Sequence, residues 1–383
     1  MTPDGLGTPR VADVVVVGGG VMGSAAGWAL ARRGADVVLL ERFGPGHRQG
    51  ASHGRSRIYR STYPQPHHQA LVAEARRLWA ELEAETGTTL LHPASGVATA
   101  AGPGQERLRE VAAAMTATGV PFEWLSAEEA AERWPGMRFP GPVLHEPETA
   151  GRVDADAAVA ALQAAAAAAG AAVRHHRRVE SVEPTADGGV LVRQAGGGTV
   201  RARAAVVAVG AWTSDLLGSA VRLPPLRVTQ EQPAHFRPLD PAADWPAFTA
   251  DPDPAENWPS GVYGLHSPGE GVKVGFHGTG KEVHPDRRDF AAEPGRMARL
   301  QEYVRRYLPG LDADSPEPVS CTYTSTPTGE FVLDRVGPVV VAAGFSGHGF
   351  KAAPAIGRVL ADLALGTPAG AEPFALEAHA VLS

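Results

Sequence analysis

Hydrophobic positions near the start of the chain come in two continuous runs rather than in alternation. The first run is ADVVVV at 12–17, and the second is ADVVLLE, which ends at Glu41. Continuous β-branched runs are typical of strands that are covered on both faces of a parallel sheet. The helical stretch SAAGWALARRG lies between them and ends at Gly34. This order predicts one βαβ unit.

Periodic apolar positions predict further helices. The segment LVAEARRLWAELEAETG at 71–87 has apolar residues at helical spacing and a terminal glycine. A capping box of Ser126 and Glu129 predicts a short helix before Pro135. An alanine-rich helix is expected at 157–169, capped by Asp154 or Asp156 and packed at the surface, and another at 292–307.

Short apolar segments predict strands in the second half of the chain. They include GVLVRQ and AAVVAVG within 171–210, GVKVGFHGTG at 271–280 and GPVVVAA at 337–343. Residues 222–270 are proline-rich and contain Trp and Phe, and we interpret them as strands and loops of a second domain.

Length and charge restrict the class of ligand. The chain has 383 residues, 35 Lys plus Arg and 42 Asp plus Glu, which gives a net charge of -7. This length predicts two domains with a sizeable core. Because there is no basic block, nucleic acid and anionic membrane are disfavoured as partners, and small molecules are expected.

One cysteine, Cys321, excludes a disulfide framework and a cysteine-based metal cluster. The expected compartment is therefore the cytoplasm. The segment MTPDGLGTPR is not basic, and Gly18, Gly19 and Gly20 interrupt the apolar run after it. Neither a signal peptide nor a membrane span is expected.

A glycine motif, Gly18-x-Gly20-Val21-Met22-Gly23, joins the first predicted strand to its helix, and Glu41 follows eighteen residues after Gly23. Such glycines allow a tight turn, close approach of backbone to pyrophosphate and close packing of helix on strand, while the acid accepts hydrogen bonds from a ribose. The motif predicts a dinucleotide site. It does not distinguish NAD from FAD.

Three segments carry a more specific signal. They are SHGRSRIYR at 52–60 followed by Tyr63, CTYT at 321–324, and GFSGHGFK at 344–351. Together they resemble the signature segments of monomeric sarcosine oxidase and N-methyltryptophan oxidase, which are FAD-dependent amine oxidases of the D-amino-acid-oxidase group. The resemblance extends from about residue 12 to about residue 366.

The resemblance implies FAD bound through a thioether at Cys321. The alternative for a lone cysteine is a small buried hydrophobic residue. The family's other cofactor contacts correspond to Gly18, Gly20, Val21, Met22, Gly23, Glu41, Arg42, Ser52, His53, Arg57, Val179, Gly210, Trp212, Phe345, Gly347, His348, Gly349, Phe350 and Lys351.

Lysine usage gives an independent indication, because Lys occurs only at 273, 281 and 351 while the other 32 basic residues are Arg. By resemblance, Lys273 promotes reaction with oxygen, and Lys351 holds the substrate carboxylate. Lys281 is expected to be a solvated surface residue.

Arg60 matches the family's second carboxylate-binding position, although Arg55 and Arg57 are close enough to be the ligand instead. The family often has an acidic residue where Arg55 stands. Tyr263, His277 and Tyr323 resemble the active-site ring, and alternation places 273, 275 and 277 on one strand face. A purely structural role for His277 remains open.

Taken together, these features predict an α/β protein in which a Rossmann-like FAD-binding domain is interleaved with a β-rich α+β substrate domain. The first would comprise 1–90, 145–225 and 320–383, and the second 91–144 and 226–319. No metal is expected, since the pairs His67–His68 and His175–His176 lack partners at ligand spacing.

The resemblance implies oxidation of a secondary amino acid, either an N-methyl or a cyclic imino acid, to an imine by a monomer that reduces O2 to hydrogen peroxide. Three alternatives remain at this point. They are a flavin oxidase of a cyclic imine or amine in a biosynthetic pathway, a nicotinamide-dependent dehydrogenase and a non-catalytic nucleotide-binding module.

Overall fold

The computed structural model describes residues 10–218 and 220–382. The expectation about a signal peptide concerns a segment that lies largely outside the described residues. Within the described part of the chain, no helix combines the length and the apolar character that crossing a membrane requires.

The chain forms 22 strands and eight α-helices within its described residues. The strands are β1 (Arg10–Val17), β2 (Val37–Leu40), β3 (Arg57–Tyr59), β4 (Leu91–Pro93), β5 (Gly96–Ala100), β6 (Glu123–Leu125), β7 (Val143–Glu146), β8 (Gly151–Val153), β9 (Ala172–Arg174), β10 (Val179–Pro184), β11 (Val190–Gln194), β12 (Thr199–Val207), β13 (Arg227–Glu231), β14 (Ala234–Pro238), β15 (Ala247–Asp251), β16 (Val262–Ser267), β17 (Gly271–Phe276), β18 (Lys281–Glu282), β19 (Leu311–Pro318), β20 (Cys321–Ser325), β21 (Val332–Val336) and β22 (Val339–Ala343). The helices are α1 (Val21–Ala31), α2 (Pro66–Thr86), α3 (Gly104–Thr118), α4 (Ala127–Arg133), α5 (Ala155–Ala168), α6 (Thr213–Leu217), α7 (Pro294–Tyr307) and α8 (Ala353–Leu365).

The predicted βαβ unit is confirmed and lies at the centre of a mixed sheet. Strand β1 runs parallel to β2 on one side and to β12 on the other, in the order β10-β11-β12-β1-β2-β9, with β22 and β21 attached beyond β12. Val14 and Val16 of β1 enter one hydrophobic core, while Val15 and Val17 enter another. The strand is therefore covered on both faces, which explains its unbroken apolar sequence.

Helix α2 confirms the prediction from apolar spacing. Its residues Leu71, Ala75, Leu78, Trp79 and Leu82 are all buried, and it ends at Gly87 in the left-handed conformation. It begins at Pro66, one turn earlier than the apolar pattern indicates. Proline is favourable there because the first helical turn does not need its missing N–H.

Two predicted caps are present. The Glu129 N–H donates to Ser126 Oγ at 3.1 Å, and the Ser126 N–H donates to Glu129 Oε2 at 2.7 Å, so the capping box of α4 is complete. Asp154 caps α5 by accepting from the Ala157 N–H at 3.1 Å. Asp156 instead accepts from the Gly54 N–H at 2.8 Å and so ties α5 to the loop before β3.

The second large sheet has the order β19-β14-β17-β16-β15-β5-β7-β6 and is antiparallel except between β15 and β5. Helix α7, predicted at 292–307, covers it through Met297, Leu300 and Val304. The region 222–270 forms strands as expected, but β13 joins β18 and β20 in a separate three-stranded sheet. The division into two interleaved domains stays a prediction.

Candidate active site

A cavity of 1540 Å³ runs from the end of β1 to the face of β16 and β17. Except for Gly23, every residue that the sequence predicts to contact cofactor or substrate lines it. Pockets for a single small ligand usually measure about 300–1,000 Å³. The cavity is therefore large enough for a cofactor and a substrate together.

The turn from β1 into α1 can be formed only by glycine at two positions. Gly18 has φ of +102°, and a Cβ there would lie 2.4 Å from the Ala208 carbonyl oxygen. A Cβ on Gly23 would lie 1.8 Å from the Gly18 carbonyl oxygen. Gly23 thus acts by packing helix on strand, which explains why it does not line the cavity.

The N-terminus of α1 faces the cavity without a side-chain cap, because the N-cap residue is Gly20. Ser52 Oγ accepts the Val21 N–H at 3.0 Å and ties the signature segment at 52–60 to this helix end. A helix N-terminus of this kind favours an anionic group such as a pyrophosphate.

Glu41 follows the end of β2 and is buried beside the glycine turn. Its Oε2 accepts the Gly19 N–H at 2.6 Å, and its Oε1 accepts the Phe43 N–H at 2.7 Å. Each carboxylate oxygen can accept a further bond, so a ribose hydroxyl can still be bound. Farther out, Arg42 and Trp212 are both bonded to Asp286 at 2.7 Å and form part of the cavity wall.

The loop that follows Ser52 contains two buried polar atoms that have no partner within the described chain. His53 Nε2 and Ser56 Oγ are buried without a hydrogen bond. Burial, reinforced by Arg57, lowers the pKa of His53 to about 3, so its imidazole is neutral at physiological pH. Together with the glycine turn, the open helix end and Glu41, these free atoms fit an extended dinucleotide such as FAD.

Lys273 lies on β17 with only 7% of its surface exposed, and it lines the cavity. Its Nζ donates to the Ser56 carbonyl oxygen at 2.6 Å. Burial, together with the nearby Arg57, lowers its pKa to about 7. Lys281 differs, because its side chain is 40% exposed and paired with Asp289 at 2.6 Å, as predicted for a surface lysine.

Lys351 is also buried, and its Nζ donates to Tyr63 Oη and to the His348 carbonyl oxygen, both at 2.7 Å. Arg60 lies against the same tyrosine, with its Cζ 4.8 Å from the centroid of the ring. Two cations from distant parts of the chain therefore flank Tyr63 at the cavity wall. Tyr63 follows the signature segment at 52–60, but the sequence alone indicates no role for it.

The environment of Tyr63 and Lys351 changes both pKa values. Burial lowers the pKa of Lys351, against the opposing effect of Tyr63. Burial alone would raise the pKa of Tyr63, but the cations of Lys351 and Arg60 outweigh it and lower the pKa.

The other two arginines of the segment have different surroundings. Arg55 is exposed, and Arg57 donates to the Ala51 carbonyl oxygen at 2.7 Å with its Cζ 5.6 Å from the Phe350 ring centroid. Of the three, Arg60 is the one placed beside Lys351 and Tyr63.

Tyr263, Tyr323 and His277 form the neutral part of the site. The His277 and Tyr323 rings are 5.2 Å apart, and burial raises the pKa of both tyrosines, which are hydrogen-bonded to each other. His277 is exposed to the cavity just beyond the end of β17, where desolvation, followed by the effects of Arg60 and Lys351, lowers its pKa to about 4. All three can exchange hydrogen bonds without carrying charge at physiological pH.

Cys321 begins β20, opposite Glu231 of β13, and its half-buried thiol lines the cavity. Arg288, which the sequence gave no reason to select, is a buried cation whose charge interacts with Cys321. It is held by the Gln49 carbonyl oxygen at 2.7 Å and Ser320 Oγ at 2.8 Å. The structure thus places the only thiol beside a fixed positive charge.

The reason given for expecting no metal is wrong for one histidine pair. Glu330 Oε2 lies 3.2 Å from His67 Nε2 and 2.9 Å from His68 Nε2, so this pair does have a partner at ligand spacing. The two histidines and Glu330 are 262 or more residues apart in sequence, so the spacing could not reveal the contact. His175 contacts Gln163, whose amide is not a typical ligand.

Comparison with known proteins agrees with this geometry. The family described as FAD dependent oxidoreductase matches residues 13–363. Monomeric sarcosine oxidase of Bacillus sp. (strain NS-129) is 33% identical over 362 residues, covering 92% of each chain. Peroxisomal sarcosine oxidase of Homo sapiens is 33% identical over 368 residues, again covering 92% of each chain.

A solved structure is also similar over nearly the whole chain. NikD, an unusual amino acid oxidase essential for nikkomycin biosynthesis, superposes in its open form with a TM-score of 0.85 and 31% identity, covering 96% of this chain and 98% of NikD. The predicted α/β fold class and the sequence resemblance are confirmed, and the nicotinamide-dependent and non-catalytic alternatives are set aside. The chain belongs to the FAD-dependent oxidoreductase family.

Proposed function

We propose that this enzyme oxidises a secondary amino acid, such as an N-methyl or cyclic imino acid, with O2 as the electron acceptor. The observation that carries the proposal is the pair of cations, Lys351 and Arg60, that flanks Tyr63 in the cavity that also contains the glycine turn. A substrate with a carboxylate next to its amine suits this arrangement, because a guanidinium and an ammonium bind the two carboxylate oxygens.

The chain's own residues supply orientation and electrostatics. The clamp of Arg60 and Lys351 fixes the carboxylate, while the neutral groups of Tyr263, Tyr323 and His277 can hold the amine in its uncharged form. FAD, when bound, supplies the redox chemistry by accepting two electrons from the substrate C–H bond and passing them to O2, which yields an imine and hydrogen peroxide. In its ammonium form, Lys273 would place a positive charge at Nζ that stabilises negative charge as it develops on oxygen.

The residues that would hold FAD fall into three groups. The glycine turn and the N-terminus of α1 would bind the pyrophosphate, and Glu41 the ribose. The 3₁₀ turn Gly210–Trp212 and Val179 of β10 line the adenine side. The segments around His53 and Phe345 line the side nearest the clamp.

A covalent link between Cys321 and FAD is part of the proposal. Its thioether S–C bond would replace the thiol S–H bond and one C–H bond of a flavin methyl group, and the two electrons and two protons released would pass to O2 as hydrogen peroxide. It is supported by the thiol's position on the cavity wall and by the neighbouring Arg288. The thiolate is the reactive form of cysteine in such bond formation. After acid precipitation, the yellow colour should remain with the wild-type pellet, and Cys321→Ser should release it. Wild-type flavin recovered entirely in the supernatant would rule out the link and leave noncovalent binding.

The substrate is tested with a panel read out as peroxide. It consists of sarcosine, N-methylated aromatic amino acids, proline and pipecolate, each paired with its decarboxylated amine. We expect turnover of at least one acid and much weaker turnover of its partner without the carboxylate. Equal activity on acids and simple amines would overturn the role of the clamp, and the lack of peroxide with all acids would overturn the proposed activity.

The structural likeness to NikD favours a second candidate, the oxidation of a cyclic imine or amine in a biosynthetic pathway. Such a substrate would give a conjugated product that absorbs in the near ultraviolet. Spectra recorded during turnover of cyclic substrates distinguish the two candidates.

We also infer that the enzyme acts as a monomer, because one chain supplies the glycine turn, the clamp and the aromatic ring to one cavity. Light scattering should give the mass of a single 39.9 kDa chain. The single cysteine, which leaves no possibility of an internal disulfide, supports a cytoplasmic location.

A further inference from the structure

We propose that His67, His68 and Glu330 form a binding site for a divalent transition-metal cation of the zinc class, next to the substrate clamp. Their ligand atoms lie within 4.8 Å of one another, with Glu330 Oε2 at 3.2 Å from His67 Nε2 and 2.9 Å from His68 Nε2. In a tetrahedral site with bonds of about 2.0–2.1 Å, neighbouring ligands are separated by about 3.3 Å. Two of the three separations are already close to this value.

The protein fixes the inner side of this site. The His68 side chain is only 4% exposed. Its ring packs edge-on against the Phe331 ring, with centroids 5.0 Å apart, and stacks on the Tyr63 ring, with centroids 5.1 Å apart. The backbone of Glu330 is held by Thr326 Oγ1, which donates to its carbonyl oxygen at 2.8 Å. Little reorganisation is therefore needed to present both ligands to an ion.

The outer side of the site is open. The side chains of His67 and Glu330 are 32% and 23% exposed, so an ion can enter and keep a water at its fourth position. Glu330 Oε2 lies between the two imidazoles and is shared by both of them, so one oxygen and two nitrogens converge on the same point. Two imidazoles and a carboxylate are a donor set that suits Zn²⁺ and Co²⁺.

The site adjoins the clamp through direct contacts. His68 stacks on Tyr63, whose Oη accepts from Lys351, and both His68 and Glu330 line the large cavity. The carbonyl oxygen of Gly329, next to Glu330, lies 3.1 Å from His348 Nε2 in the GFSGHGFK segment. A metal bound here would therefore lie in the same part of the cavity wall that positions Lys351.

The test uses holoenzyme treated with a chelator and then dialysed into a non-chelating buffer. Zn²⁺ binding is measured by titration calorimetry, and Co²⁺ binding by absorption at wavelengths beyond those of the flavin. We expect one ion per chain, and Co²⁺ spectra of the intensity typical of four-coordinate sites. His67→Ala and Glu330→Gln should each weaken binding at least tenfold.

The matched control is His266→Ala, which removes an exposed histidine on β16 away from Glu330. It should bind as the wild type does, and flavin absorbance should be equal in all variants, which shows that they fold. Absence of stoichiometric binding by wild type, or equal binding by wild type, His67→Ala and Glu330→Gln, would overturn the site. If Glu330→Gln lost its flavin, metal binding by His67→Ala and His67→Gln, compared with wild type, would decide whether the site exists. Metal binding is read without turnover, so this result is independent of the proposed oxidase activity.

Discussion

The lysines of this chain show how strongly surroundings determine the chemistry of one residue type. Lys281 is partly exposed and paired with an acid, whereas Lys273 and Lys351 are buried and bonded to neutral oxygens. An ammonium taken out of water without a carboxylate partner is costly. A buried ammonium without a carboxylate partner is therefore expected where the charge interacts with a ligand or with a reacting group.

The role of Lys351 predicts a dependence of carboxylate binding on pH. Only the ammonium form attracts a carboxylate, and burial lowers the pKa of this lysine from 10.5. As pH rises through that lowered pKa, the charge is lost, so the dissociation constant of acetate should increase, with a midpoint below 10.5. Perturbation of the flavin spectrum by acetate measures this constant.

Lys351→Ala should raise KM for the amino acid substrate about 10- to 100-fold, because a charge-assisted bond contributes about 1.5–3 kcal/mol. Flavin content should change little. Lys351→Arg is the control, since its guanidinium stays charged and should remove the alkaline loss of acetate binding. An acetate constant that does not vary up to pH 10.5 in wild type would contradict the assignment.

Replacing Lys273 by Met tests the oxygen half-reaction, because Met keeps an unbranched stem but carries no charge. Reoxidation of the reduced holoenzyme by O2 should slow by orders of magnitude, since each tenfold corresponds to about 1.4 kcal/mol of lost stabilisation. Anaerobic reduction by substrate should fall much less. Rapid mixing measures both rates, and unchanged reoxidation would remove Lys273 from this role.

At the scale of elements, the sequence predicts the helices and strands that are marked by a pattern within a few neighbouring residues. The βαβ unit, α2 and the capping box of α4 are confirmed because a run, a period or a cap lies within a few residues. Helix α8, which is buried almost all round, is not among the predicted elements. Its Gly357 packs directly against Ala25 of α1, a contact that no local pattern reveals.

The candidate site depends even more on contacts between distant segments. The bond from Lys351 to Tyr63 joins residues 288 positions apart, and that from Lys273 to Ser56 joins residues 217 apart. The family resemblance named most of these residues, but only the fold shows that Arg60, rather than Arg55 or Arg57, adjoins Lys351. Arg288 and Glu330 had no local signal at all.

The packing of α1 on β1 predicts a severe effect of Gly23→Ala. The added Cβ would lie 1.8 Å from the Gly18 carbonyl oxygen, so the helix must move away from the turn that faces the cavity. We expect loss of FAD, measured as flavin absorbance per chain. Gly27→Ala on the same helix is the control, because its Cβ would meet only the flexible end of Leu39 at 3.3 Å. Normal flavin content in Gly23→Ala would contradict this account of the turn.

At the scale of the whole molecule, four cations from three segments of the chain line one cavity, although the net charge of the chain is -7. Arg57 and Arg60 line it together with Lys273 and Lys351. The charges on these side chains repel one another and lower the pKa of His53 and His277 in addition to the effect of burial. An anionic cofactor and a carboxylate substrate offset that repulsion, so their binding should stabilise the fold.

The cost of burying the charged Lys273 side chain predicts that Lys273→Met stabilises the protein in a pH-dependent way. The pKa of Lys273 is about 7 in the folded chain and 10.5 in its ordinary state. Between these two pH values the unfolded chain binds one more proton at this lysine than the folded chain does. The free energy of unfolding of wild type therefore rises with pH over this range. Below pH 7 the lysine is charged in both states, and its destabilising effect is complete. The advantage of the variant over wild type should therefore shrink by about 3 kcal/mol between pH 6.5 and 9.5. Urea unfolding of both holoenzymes at the two pH values measures this difference, with Lys281→Met as the control at an exposed lysine. An advantage that stays constant with pH would mean that Lys273 keeps an ordinary pKa in the folded protein, and its burial would then be compensated by a partner other than the Ser56 carbonyl.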